Sequence, residues 1–153
     1  MRRVDQWLSD YGESHQNPTN KRVHWICVPI IVWCVIALLW SIQIVADRHA
    51  YLNLGVLAVA AALLYYAALS LPLALGALVL LFAMLMSVAA VAEFGIGTLW
   101  RVAATLFVLA WIGQFIGHRI EGRRPSFLKD LQFLLIGPLW LLADLFRRLG
   151  IRY

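Results

Sequence analysis

Four long apolar runs, separated by short polar breaks, constrain this chain more than any other feature. They lie near 24–45, 51–69, 71–92 and 99–117. A helix of about 20 residues crosses the roughly 30 Å of a bilayer's hydrocarbon. Without water there, only a helix or a closed barrel satisfies every backbone N–H and C=O group. Composition agrees. The chain is 63% hydrophobic and 14% charged, against about 25% charged in an average soluble domain. A fold of 153 residues could not hide that much apolar surface from water. The expected fold class is all-α: an integral membrane helical bundle with four transmembrane helices, forming a single domain over 1–153.

The flanks add two elements. Residues 3–16, RVDQWLSDYGESHQ, read as a short amphipathic helix, with Trp7, Tyr11 and His15 spaced by four on one face. Asn17-Pro18 should break it, and Thr19 or Asn20 should cap the helix that follows. Ser70-Leu71-Pro72 predicts a tight turn between the second and third spans. A fifth apolar segment, 131–146, is shorter and interrupted by Gly137-Pro138. It reads as interfacial or re-entrant, with a fifth span as the alternative. Cys27 and Cys34 share one face of an apolar run and are expected as buried, reduced thiols. No cleavable signal peptide is expected.

Charge placement predicts topology. All but two of the 13 Lys and Arg residues lie before the first span or after the fourth; the exceptions are Arg48 and Arg101. By the positive-inside rule, both termini face the cytoplasm. The net charge of +5 then serves topology and lipid headgroups rather than nucleic acid. The expected location is a bacterial inner membrane, or the endoplasmic reticulum in a eukaryote.

That topology brings His15, His24 and His118 to one membrane face and leaves His49 in the opposite loop. Gln114, His118 and Glu121 form a stripe at i, i+4 and i+7. Polar and ionisable groups this close to hydrocarbon are costly and usually functional. Imidazole with carboxylate is a ligand set for non-haem iron and for zinc. A lone histidine at a helix end is commonly a cap or an interface residue; three at one depth beside Asn20, Gln114 and Glu121 point to metal. No HExxH motif or CxxC pair supports them. Gly113 and Gly117 form a GxxxG pair, suited to packing within the bundle or to an oligomer. Arg123 and Arg124 suit a fatty carboxylate or a phosphate, or simply anchor the chain at the headgroups. Competing readings are a small membrane transporter or channel, an assembly protein whose polar motifs cap helices, and a zinc-dependent membrane lipid hydrolase.

Tyr11, then HQNPTNKRVHWICVP, then QFIGHRIEGRRPSF, with the trailing FLLIGPLWLL, resembles the membrane 2-hydroxy fatty acid dioxygenases. The founding fungal members of that family act in phytosphingosine breakdown. The resemblance implies iron(II)-dependent α-oxidation, in which a 2-hydroxy fatty acid and dioxygen give a fatty acid one carbon shorter and CO₂. It implies histidine ligands, which by position are His15, His24 and His118. His49 matches no motif and is on the wrong side, so Glu121 or Gln114 would be the nearest further ligand unless the span count differs. Tyr11 and Asn20 would orient a ligand or the substrate, and Arg123 or Arg124 would neutralise its acid group. Its tail would lie among the apolar helices, in contact with membrane lipid.

Overall fold

The computed structural model describes residues 3–44, 52–93, 95–122 and 132–153. Arg123, Arg124 and His49, singled out above, lie outside them. The described residues form six helices: α1 (Arg3–Gly12), α2 (Pro18–Trp40), α3 (Leu54–Leu69), α4 (Leu71–Glu93), α5 (Ile96–Glu121) and α6 (Gln132–Arg148). The architecture is all-α, as the apolar runs required. Three helices are long and apolar enough to cross a membrane: α2, α4 and the Thr98–Glu121 part of α5. α3 is apolar but has 16 residues, ~24 Å at 1.5 Å per residue, so the second expected span is shorter than hydrocarbon thickness. α6, with 17 residues, is not among the long apolar helices. Leu64, Val79 and Phe82 are exposed on the outside of the bundle, a surface suited to lipid rather than water.

Two boundaries differ from those expected. α1 stops at Gly12, so His15 lies in the linker and not on the helix. α2 begins at Pro18 rather than near 24, and its cap is Asn17, not Thr19 or Asn20. Asn17 is extended, and its Oδ1 accepts from the backbone N–H of Thr19 at 2.8 Å and Asn20 at 3.4 Å. The cause is Pro18. Proline favours the first helical position, where its missing N–H costs nothing, and it holds the residue before it extended, as a cap must be. The apolar run marked only the part of α2 suited to hydrocarbon; its first turns are polar and helical as well.

α2 is the central helix. α5 packs along it most extensively, and α3, α4 and α6 also contact it. Gly113 and Gly117 make the α2–α5 approach possible. A Cβ at Gly113 would lie 2.7 Å from Cys27 Sγ, and one at Gly117 would lie 2.5 Å from Asn20 Oδ1. Of the two uses expected for the GxxxG face, packing within the bundle is the one seen, because two small residues let α5 lie against α2. Gly55 does the same at the other end of α2, where a Cβ would sit 2.9 Å from the Ile36 carbonyl oxygen and 3.0 Å from the Trp40 nitrogen. Ser70 alone separates α3 from α4. It is extended, its N–H donates to the Tyr66 carbonyl at 2.8 Å, and its carbonyl accepts from Ala74 at 2.9 Å. Pro72 falls in the first turn of α4, where no N–H is needed. Cys27 and Cys34 are buried and free.

Candidate metal centre

The linker between α1 and α2 folds His15 back onto the helix it leaves. His15 Nδ1 donates to the Tyr11 carbonyl at 2.6 Å. Inside α2, His24 Nδ1 donates to the Asn20 carbonyl at 3.0 Å. A carbonyl oxygen only accepts, so both protons sit on Nδ1 and both Nε2 atoms carry bare lone pairs. Those two Nε2 atoms lie 2.9 Å apart. Lone pairs at that distance repel unless something positive lies between them. Burial holds His15 down to about 4, from an ordinary value of 6.5, so at neutral pH a proton on this ring does not fill that place.

His118 closes the group from α5. Its ring centroid is 5.1 Å from that of His15 and 5.0 Å from that of His24. One ligand nitrogen from each of the three lies within 4.8 Å of the others, and all three residues are buried. His118 Nδ1 has no hydrogen-bond partner, and neither does Gln114 Oε1, buried one turn earlier. Orphaned buried polar atoms cost free energy. Here they gather beside two bare imidazole nitrogens, so the donor set fits a cation. Two nitrogens bound at right angles to one ion at ~2.1 Å would be ~3.0 Å apart, close to the observed pair.

Carbonyl hydrogen bonds that fix the tautomer are usual behind metal-bound imidazoles, and the wider shell is equally ordered. Tyr11 stacks on His15, with centroids 4.3 Å apart and planes at 10°. Burial pushes its phenol well above the ordinary range, so it stays protonated. Its hydroxyl lies against Gly137, where a Cβ would come within 2.9 Å. Trp140 of α6 packs on both rings, 5.5 Å from His15 and 5.6 Å from Tyr11.

Glu121, expected as a possible ligand, has a different set of contacts. Its Oε1 accepts from the Gln16 backbone N–H at 2.8 Å. Its Oε2 accepts from the Asn17 N–H at 2.9 Å and from Asn20 Nδ2 at 3.0 Å. The carboxylate thus fastens the end of α5 to the α1–α2 linker. Among the described residues, no carboxylate joins the three-histidine group. Asn20 is fully buried, and its Nδ2 also reaches the Ser14 carbonyl at 3.4 Å. Sequence reasoning missed Trp140 and the two linker amides. Gly137 marks a close approach, but to Tyr11; the packing of Trp140 and the backbone N–H groups leave no sign in a sequence.

A cavity of about 160 Å³ opens from the histidines, many times the roughly 10–15 Å³ that one water needs on the same measure. Its polar lining is confined largely to the histidine end: Tyr11, His15, His24, Gln114 and His118. Beyond them it is bordered by apolar side chains such as Val28, Ile31 and Leu39 of α2.

Fold and site together define a helical membrane protein with a buried three-histidine centre at the head of an apolar cavity. The comparisons give this class a family. A family model described as 2-hydroxy-palmitic acid dioxygenase Mpo1-like matches residues 1–149. The 2-hydroxy-palmitic acid dioxygenase MPO1 of Saccharomyces cerevisiae is 31% identical over 147 residues, covering 94% of this chain and 79% of the yeast protein. The chain belongs to the Mpo1-like family. No solved structure matches it.

Proposed function

We propose that this protein is an iron(II)-dependent dioxygenase. It would convert a 2-hydroxy fatty acid and dioxygen into the fatty acid one carbon shorter, CO₂ and water. The equation balances without an added reductant: C2 rises from alcohol to carboxylic acid while C1 leaves as CO₂. The observation that carries the reading is the pair of bare Nε2 atoms of His15 and His24, 2.9 Å apart, with His118 beside them in a chain of this family. His15, His24 and His118 would hold the metal, with Gln114 the nearest further donor. When bound, iron(II) supplies the redox chemistry that lets dioxygen react with a closed-shell acid.

The chain's own groups do the rest. The Tyr11 and Asn20 carbonyls keep both imidazoles in one tautomer. Glu121 acts through Asn20 and the linker amides as a positioning residue. The Gln114 amide, buried with a free oxygen, offers a hydrogen bond to the acid's polar end. Arg123 and Arg124 would attract its carboxylate to this face. Apolar walls keep bulk water from the reacting carbons and receive the tail. In this reading the chain crosses the membrane four times with both termini cytoplasmic, and α1 and α6 lie at that interface.

Purified protein assayed on a 2-hydroxy fatty acid, with and without dioxygen and with elemental analysis, tests the proposal. Stoichiometric iron and an oxygen-dependent product one carbon shorter are expected. Zinc with no oxygen-dependent product would instead favour a lipid hydrolase, to be assayed on an ester or amide lipid, and no metal at all would favour transport or assembly.

A further inference from the structure

The cavity at the histidines continues as a slot along α2. His24, Val28, Ile31, Val35 and Leu39 all border it, at a spacing of three or four, so one face of the helix floors it. From His24 to Leu39 that face is ~22 Å long at 1.5 Å per residue. α3 and α5 both pack on α2 but make no extensive contact with each other, which leaves the slot between them. On the α3 side its wall includes two small residues, Ala58 and Ala62. α3 runs back along α2. Gly55 lies against Ile36 and Trp40 at the far end. Tyr66 reaches the Leu135 carbonyl of α6 at 2.8 Å, near Phe133, which packs on Tyr11. Ala58 is therefore nearer the far end, and Ala62 is one turn closer to the histidines.

We infer that this slot holds the acyl chain and that the two alanines of α3 set how long a chain it accepts. The inference rests on the 2-hydroxy acid reading above. Surrounding lipid is as apolar as the slot, so a tail gains little from hydrophobic transfer on moving in. Selection by length must then be steric. An extended chain advances ~1.2 Å per bond, taking three bonds per residue, so ~22 Å accommodates on the order of 18 carbons. A longer tail has to bend out between α3 and α5.

The test uses the full chain in lipid nanodiscs, loaded with iron, and a homologous series of saturated 2-hydroxy acids. Wild type should fall off beyond about 18 carbons. Ala58→Phe should move that limit to shorter acids, raising the ratio of short-chain to long-chain turnover. Ala62→Phe should move it about five carbons further, since one turn of four residues is ~6 Å. If a phenylalanine variant fails to fold, the leucine variant at the same site replaces it. Unchanged limits in folded, iron-loaded variants, or parallel loss at every length, would overturn the inference. If wild type turns over none of the acids, the catalytic reading fails by itself. Native mass spectrometry of the same acids on the same proteins still reads the slot: a retention limit that shortens in Ala62→Phe supports it, and retention independent of length overturns it.

Discussion

Two asparagines, Asn20 and Asn53, are both fully buried, one near each end of α2, and they do different work. Asn53 is a helix cap. Its Oδ1 accepts from the Val56 N–H at 3.0 Å, and its backbone pairs with Gln43. These bonds reach only the first turn of α3 and a residue just past the end of α2. Asn20 caps nothing. Its side chain binds Glu121 and the Ser14 carbonyl, and its own carbonyl holds His24. It thus ties the α1–α2 linker, α2 and α5 together. The unpaired atoms differ too. At the far end they are one donor, Asn53 Nδ2, and one acceptor, Gln43 Oε1. Towards the histidine end they include two acceptors, Asn20 Oδ1 and Gln114 Oε1, and the imidazole nitrogen His118 Nδ1. A mixed pair can be satisfied by one water; at the histidine end, Gln114 and His118 line the same cavity as His15 and His24, a donor set that suits a cation. The same residue, equally buried, closes a turn in one place and organises a site in the other.

Substitutions can break this contrast, and the largest effect should come from the ligands. His24→Ala should lower bound iron and turnover by more than ~100-fold, beyond what loss of a supporting residue usually costs; full iron content by elemental analysis would rule out the assignment. Asn20→Ala should weaken metal binding by about 10–100-fold while the protein still folds, as measured by competition with a chelator. Glu121→Gln keeps the shape but loses the charge and turns an amide NH2 towards at least one of the three N–H donors, so at least about 10-fold is expected, within that same range. A drop as large as that for His24→Ala would make Glu121 a ligand rather than a tie.

Acid should sharpen the contrast. His15 titrates near 4 in the fold and near 6.5 when unfolded. Between those values the unfolded chain binds the extra proton, so stability falls as pH drops from about 6.5 towards 4. Melting temperatures of metal-free protein should follow that course, and His15→Asn should make the decline shallower. The smallest effect belongs to the far end. Asn53→Ala should cost about 1 kcal/mol, as lost caps do, with iron per folded chain unchanged. Loss of iron there would remove the distinction between the two asparagines.

Much of the site was legible. The three histidines expected on one membrane face are the three that meet. Tyr11 and His15 were placed together by spacing and do stack, although the helix expected to carry both ends at Gly12. Glu121 was noticed for the right reason, an ionisable group near the membrane, but its partners are backbone N–H groups about a hundred residues away, and no sequence pattern marks those. Gly113 and Gly117 announced a close approach without saying to what; the answer is Cys27 and Asn20. Trp140 was not singled out, because its burial depends on where α6 packs.

The sequence by itself determined that this chain is helical and suited to a membrane, because run length and the need to satisfy backbone groups without water leave little choice. It also determined which residue types could bind metal. Only the tertiary structure decided that His15 and His24 present bare nitrogens to each other. Ring orientation and tautomer follow from carbonyls four residues back, held in register by a carboxylate on the far side of the chain. Hydrogen bonds are directional and short, so the site exists only where separate helices bring their ends within a few ångströms.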